Sequence, residues 1–250
     1  MSDLRYTSDE MMTVSAARML RNKQICFVGI GLPSTAANLA RLTHAPEVVL
    51  IYESGTIGAK PFRIPLSIGD GELSETADAV VGVPEMFNYW IGAGRVEVAF
   101  LGAAQVDRYA NLNSTVIGDY DHPSTRLPGA GGAPEIASNC GEVIVTVAHS
   151  PRTLVPRLDF LTTVGHGDGP GARERLGLRG RGPTAVITDL GVLEPDPVSA
   201  ELTLTQLHEG VSVDQAREAT GWDLLSVEQP VVTEPPTDAE LDALRELLAR

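Results

Sequence analysis

The sequence predicts an α/β protein: an open, mostly parallel sheet with helices on both faces, built as a single domain over residues 1–250. Three observations predict it. Short apolar runs without in/out alternation recur along the chain, as expected of parallel strands covered on both faces. Segments with helix start signals lie between them, and strand alternating with helix is the pattern of a right-handed βαβ sheet. Aromatics make up only 5% of the residues, so the core must be built from Ala, Val, Ile and Leu, and 25 glycines supply tight turns.

Taken in order, Thr7-Ser8-Asp9-Glu10 reads as a capping box that opens a helix running to about Arg21. Gln24 to Gly29 is a buried strand ending in glycine. Pro33 suits a first helical turn, and its helix runs to about His44, stopped by Pro46. Val48 to Tyr52 is a second continuous apolar strand. A helix is expected from Pro84 to Ala93, then strands over Val96–Leu101, Val143–Ala148 and Thr184–Thr188. The Asn-, Asp-, Gly- and Pro-rich stretch Asp107–Pro128 reads as short strands and loops, and Ser150–Pro183 as similarly broken. A tail helix starts at Thr237 with a capping box to Glu240.

Bulk properties exclude several classes of function. A net charge of −14 repels nucleic acid and anionic membrane. No apolar run approaches the roughly 20 residues needed to span a bilayer, and the start Met1-Ser2-Asp3-Leu4-Arg5 has no apolar signal core. Two cysteines, Cys26 and Cys140, both beside apolar or small residues, suit buried thiols in a reducing cytoplasm better than a disulfide framework.

Chemistry concentrates at three glycine-containing turns after apolar strands: Gly29 to Pro33, Glu53-Ser54-Gly55, and Gly129 to Gly132. In open α/β sheets the carboxyl ends of the strands form the ligand crevice, so such turns are neighbours at a site. Glu53 ends an apolar strand, where partial desolvation makes a carboxylate a better nucleophile or base. Two bland or rival readings stand beside this one. Glu53 could simply finish its strand at the surface. Alternatively, Gly29-x-Gly31 with an acid about twenty positions on is half of a dinucleotide fingerprint, in which Glu53 would hold a ribose hydroxyl. Ser34 in place of the third glycine, and Pro33 in the turn, count against the latter.

The Gly129–Gly132 turn, with a helix expected near Pro134, exposes N–H groups able to hold phosphate or an oxyanion; a tight connection without a ligand fits equally. His122, between acids, suits a turn better than a metal site, and His149 and His166 suit packing or surface positions. Arg152, Arg157, Arg173, Arg175, Arg179 and Arg181 could meet phosphates, or could form a solvated, salt-bridged face.

In this order and spacing the motifs resemble the β subunit of family I CoA transferases. They are Val28–Pro33 (VGIGLP), Glu53–Gly55 (ESG), Leu101–Asp107 (LGAAQVD) and Gly129–Ala133 (GAGGA). Asn113–Tyr120 and Asp168–Gly177 are similar to the glutaconate CoA-transferase branch. Leu50–Gly55 with Ile57–Pro61, and Ser67–Leu73, look like the 3-oxoadipate type within it. The likeness spans residues 8 to 225. It implies CoA transfer from succinyl-CoA to a dicarboxylate such as 3-oxoadipate or glutaconate, with no bound cofactor and the CoA thioester as substrate. It implies an α-subunit partner and a two-fold pair of αβ units.

The resemblance also implies roles. Glu53 becomes the nucleophile that carries an acyl anhydride and then a CoA thioester. The N–H of Gly131, with Gly132 as second choice, becomes the oxyanion donor. Gly29, Gly31, Ser54, Gly55, Lys60 and Gln105 are the candidate substrate contacts, and Lys60 or Arg63 the cation for a distal carboxylate. Two other readings remain open: a CoA-ester hydrolase or lyase with Glu53 as general base, and a non-catalytic ligand sensor on the same scaffold.

Overall fold

The computed structural model describes residues 5–250. Residues 1–4, in which the sequence shows no signal core, lie outside the described residues. Strand succession is β1 (Ile25–Val28), β2 (Val49–Tyr52), β3 (Thr56–Ile57), β4 (Ala79–Val80), β5 (Val98–Leu101), β6 (Gln105–Val106) and β7 (Leu112–Asn113). There follow β8 (Val116–Gly118), β9 (Pro123–Arg126), β10 (Glu142–Thr146), β11 (Pro183–Ile187), β12 (Gly191–Pro195), β13 (Leu202–Leu207) and β14 (Leu225–Val232). The helices are α1 (Ser8–Arg18), α2 (Leu32–Leu42), α3 (Gly71–Glu75), α4 (Val83–Glu85), α5 (Ala133–Asn139), α6 (Ala172–Arg175), α7 (Val213–Glu218) and α8 (Asp238–Ala249), with a π-turn over Met86–Ile91.

Ten strands form one sheet in the order β14-β13-β12-β11-β10-β5-β1-β2-β3-β4. The run β11-β10-β5-β1-β2 is parallel throughout. Alternate side chains of these strands enter two separate cores, which is why their sequences read as continuous apolar runs. Cys26, Val28, Leu50 and Tyr52 pack with α1, α2 and α8, whereas Phe27, Ile51, Ala99 and Val145 pack with the π-turn and α5. Helices therefore cover both faces, as the sequence predicts.

Local signals are met at the helix ends. Both expected capping boxes form, Thr7 with Glu10 and Thr237 with Glu240. A third, Ser212 with Gln215, opens α7, which has no counterpart among the expected elements. Two expectations are corrected. The chain from Pro84 to Ala93 is not one α-helix but a short turn followed by a π-turn. Beyond Thr188 the sheet adds β12, antiparallel to both its neighbours, while β13 and β14 pair in parallel; with β3 antiparallel on the other flank, the sheet is mostly parallel, as expected. The first helix also ends at Arg18, short of Arg21. The broken stretches 107–128 and 150–183 are short strands, loops and the single turn α6, as expected.

Both cysteines are free and buried. Burial pushes the Cys140 thiol up to about 12 and raises that of Cys26 well above the ordinary thiol range, so neither is a nucleophile at neutral pH. No helix among the described residues is long and apolar enough to cross a membrane.

Candidate active site

Strands β10, β5, β1 and β2 run the same way, so the turns after them share one edge of the sheet. That edge carries the Gly29–Gly31 turn after β1 and Glu53 after β2. Chain connections diverge here: β1 leads through α2 to β2 on one side, and the chain then crosses to β5 on the other. A crevice at such a switch point is the expected ligand site of an open α/β sheet.

Glu53 and Ser54 are the central residues of a turn closed by the Gly55 N–H on the Tyr52 carbonyl at 2.9 Å. The strand before them is anchored from behind. Tyr52 is fully buried, and its hydroxyl lies 3.1 Å from the Ser34 hydroxyl and accepts from Asn38 Nδ2 at 3.2 Å. Burial raises the Tyr52 phenol above its ordinary range, so it stays protonated and holds this network. Ser34 is thus a packing and hydrogen-bonding residue of α2, which accounts for serine where a dinucleotide fingerprint wants glycine.

Gly55 holds the turn from the front. Its φ is +99°, and a Cβ there would lie 2.0 Å from the Val81 carbonyl oxygen, so only glycine lets the two backbones cross. Its carbonyl also accepts the Val81 N–H at 2.9 Å. The crossing leaves Gly55 buried, a structural part rather than a substrate contact.

Alternation along β2 turns Glu53 towards the face covered by the π-turn and α5. There it lines a cavity of about 430 Å³ with Phe87 and Asn88 of the π-turn, Gly131 and Gly132 of the glycine turn, and Glu135 and Asn139 of α5. Glu53 is half-buried, Gly132 buried and Gly131 exposed. A Cβ on Gly132 would lie 3.3 Å from Glu53 Oε1 and 2.5 Å from Phe87 Cζ, so carboxylate, glycine backbone and ring meet at one point. Among the described residues, no backbone acceptor takes the N–H of Gly131 or Gly132. Gly131 has φ +50° and Gly132 caps α5, so this corner adds two free donors to the start of a helix. The chemistry available is attack by a carboxylate with an oxyanion held by backbone N–H groups.

The other expected residues divide. The Ser54 hydroxyl is buried and has no hydrogen-bond partner among the described residues. Gly31 is the N-cap of α2 with φ +87°, and it stands exposed with open space around it. Gly29 precedes it, half-buried at the end of β1. Gln105 is buried and its amide is engaged, donating to Asp159 and accepting from Asn113 Nδ2, which marks it as a link between loops. Lys60 is paired with Asp78 at 2.6 Å, and Arg63 with Asp70 and Glu72, so neither cation is free for a distal carboxylate.

Four of the six clustered arginines are tied within the chain. Arg173 donates to the carbonyls of Gly180, Gly165 and Ala137, Arg175 pairs with Asp168, Arg179 donates to Gly92, and Arg181 to Glu142. His122 lies in a turn made by Asp119, as expected, and His149 is a buried packing residue whose imidazole is held neutral by burial. Among the described residues no cluster of His, Cys, Asp and Glu has the make-up of a metal site.

Phe87, Asn88, Glu135 and Asn139 were not legible in the sequence. Phe87 and Asn88 fall in what reads as an ordinary amphipathic helix, and nothing local announces a π-turn there. Glu135 and Asn139 carry a weaker signal, being one helical turn apart just after the expected start near Pro134.

Comparison with known proteins finds relatives over nearly the whole chain. A family profile described as coenzyme A transferase matches residues 9–219. The chain is 60% identical over 245 residues to the B-type subunit of 3-oxoadipate CoA-transferase from Pseudomonas knackmussii, covering 98% of this chain and 94% of that one. The crystal structure of glutaconate coenzyme A-transferase from Acidaminococcus fermentans superposes with a TM-score of 0.92 at 37% identity, covering 98% and 95%. A more distant relative, at 26% identity over 97% of this chain and 94% of its own length, is the cholesterol ring-cleaving hydrolase IpdB subunit of Mycobacterium tuberculosis.

Proposed function

The chain belongs to the coenzyme A transferase family, and on that premise we propose that it is the nucleophile-bearing subunit of a two-subunit enzyme moving CoA from succinyl-CoA to 3-oxoadipate. The observation that carries the mechanism is the meeting of Glu53 with the free N–H groups of Gly131 and Gly132 in one cleft. The substrate reading rests on the 60% identity to the Pseudomonas knackmussii protein over nearly the full length of both chains.

In the mechanism, a Glu53 oxygen attacks the thioester carbonyl of the acyl-CoA and the C–S bond breaks, leaving an acyl-glutamyl anhydride and CoA thiolate. The thiolate attacks the Glu53 carbonyl carbon, releasing succinate and forming the glutamyl-CoA thioester. The acceptor carboxylate then runs the same steps in reverse, which gives ping-pong kinetics. Each tetrahedral intermediate develops an oxyanion, for which the two glycine N–H groups are the donors; removing one such donor typically costs about 10²–10³ in turnover. The free Ser54 hydroxyl is a candidate contact for the acyl or acceptor oxygens.

The cleft is open on this chain, and the Pseudomonas knackmussii relative is one member of a subunit pair. In this reading an α-type partner completes the wall and supplies the cation for the distal carboxylate, Lys60 and Arg63 being engaged in ion pairs on this chain.

The test uses the chain co-expressed with its α-type partner. Succinyl-CoA is added, the adduct is trapped with borohydride or hydroxylamine, and the modified residue is mapped by mass spectrometry. Modification of Glu53 is expected. Modification at another residue, or none in an active preparation, refutes the mechanism. Thiol release with no trapped adduct would instead mark a hydrolase. Faster transfer to glutaconate than to 3-oxoadipate would overturn the substrate assignment alone.

A further inference from the structure

The π-turn Met86–Ile91 is unusual backbone, and it borders the Glu53 cleft. Such turns exchange α hydrogen bonds for longer i→i+5 ones, and they recur at functional sites. This one is held at several points. Met86 and Ile91 are fully buried, the Gly92 N–H donates to the Phe87 carbonyl at 2.7 Å, and Arg179 donates to the Gly92 carbonyl at 2.8 Å. The result is the placement of one side chain. The edge of the Phe87 ring occupies the space where residue 132 would carry a Cβ: such an atom would lie 2.5 Å from Cζ and 2.7 Å from Cε1. Glu53 Oε1 stands 3.3 Å from the same point. The neighbouring Asn88 and Tyr89 are exposed, whereas Phe87 is half-buried.

We propose that Phe87 excludes water from the acylated Glu53 and so sets how often its thioester is lost to hydrolysis instead of transfer. The inference rests on Glu53 being the nucleophile. In transfer, an acceptor carboxylate oxygen attacks the Glu53 carbonyl carbon, the C–S bond breaks and CoA leaves as thiolate; the thiolate then attacks the acceptor's acyl carbon, the anhydride C–O bond breaks, and the Glu53 carboxylate is released. In hydrolysis, water attacks the same carbon and the same bond breaks. Glu53 carboxylate and CoA thiol result, with one water proton on sulfur and the other released to solvent.

Both routes develop the same oxyanion on the same two N–H groups, so donor strength cannot separate them. Access of water can. An aromatic ring lining the same cleft as the Glu53 carboxylate occupies volume and offers water no strong hydrogen-bond partner. A carboxylate acceptor, by contrast, brings its own binding contacts to the site.

The experiment uses the assembled enzyme carrying wild-type Phe87, Phe87→Leu, Phe87→Val or Phe87→Ala. Three quantities are read with succinyl-CoA: CoA transfer to acceptor, thiol release without acceptor, and the lifetime of the Glu53 adduct by mass spectrometry. Phe87→Ala is expected to raise the ratio of hydrolysis to transfer by about tenfold, equivalent to about 1.4 kcal/mol between the two barriers. Its adduct should decay correspondingly faster, and Phe87→Leu should restore most of the ratio. Should the alanine variant not assemble, Phe87→Val carries the same comparison. An unchanged ratio and adduct lifetime in the smallest variant that assembles overturns the proposal, whatever happens to kcat. Absence of any Glu53 adduct in the wild-type enzyme overturns the nucleophile reading instead.

Discussion

Replacing Gly132 with alanine adds one methyl group where nucleophile, oxyanion donor and ring converge. The backbone there has φ −86° and ψ 0°, a turn conformation open to alanine, so the effect belongs chiefly to the methyl. That methyl would sit 2.5 and 2.7 Å from two Phe87 ring atoms, against about 3.5–4.0 Å for an unstrained carbon contact. The ring must retreat by about 1 Å, and the methyl also crowds Glu53 Oε1 at 3.3 Å.

Overpacking of this kind costs about 1–3 kcal/mol. In a chain of this length that is a fall in Tm of about 2–12 °C. Turnover should suffer more, because displacement of a reacting group by about 1 Å costs on the order of 10². Initial rates of CoA transfer and thermal melts of the assembled enzyme measure both effects. Adding Phe87→Ala removes the clash, so the double variant should lose less stability than the two single losses together predict. A Gly132→Ala enzyme with wild-type rate and Tm, or a double variant whose losses simply add, would refute the geometry.

Two further outcomes follow from the scaffold. Gly55→Ala places a Cβ 2.0 Å from a backbone oxygen at φ +99°, with no flexible side chain to yield. A loss of at least about 3 kcal/mol is expected, or about 6–12 °C in Tm, and an unchanged melt would contradict the backbone crossing. Glu240→Gln keeps the capping box of α8 but removes a charge. Burial pushes the Glu240 carboxyl up, yet the bonds from Arg18 and Thr237 outweigh it and hold the group at about 2. A carboxyl depressed below its ordinary 4.5 stabilises the fold fully above that pH and loses its contribution as pH falls from 4.5 towards 2. Melts between pH 7 and 3 should therefore show a shallower acid decline for Glu240→Gln, and parallel curves would exclude the effect.

Much of this architecture was legible because its causes are local. A capping box needs residues three apart, so Thr7 with Glu10 and Thr237 with Glu240 announce their helices directly. Apolar runs such as Val48–Tyr52 show that a strand is covered on both faces whatever covers it. The short flanking strands were harder. β3 and β4 are two residues each, and β12 takes its reversed direction from antiparallel pairing with β11 and β13 that no local pattern states.

The site divides in the same way. Glu53 at the end of an apolar strand, and the glycines at 131 and 132, were apparent from sequence order, and the family motifs joined them. Other features depend on residues far apart in the chain. Val81 explains why Gly55 must be glycine, Phe87 reaches the space at Gly132, and Asp78 and Asp70 occupy Lys60 and Arg63. By itself the sequence determined which groups are chemically capable: a carboxylate, glycine N–H groups and strand ends that form a crevice. Only the tertiary structure decided which of them meet, because a contact distance between distant segments is set by the packing of the whole sheet and its two helical layers.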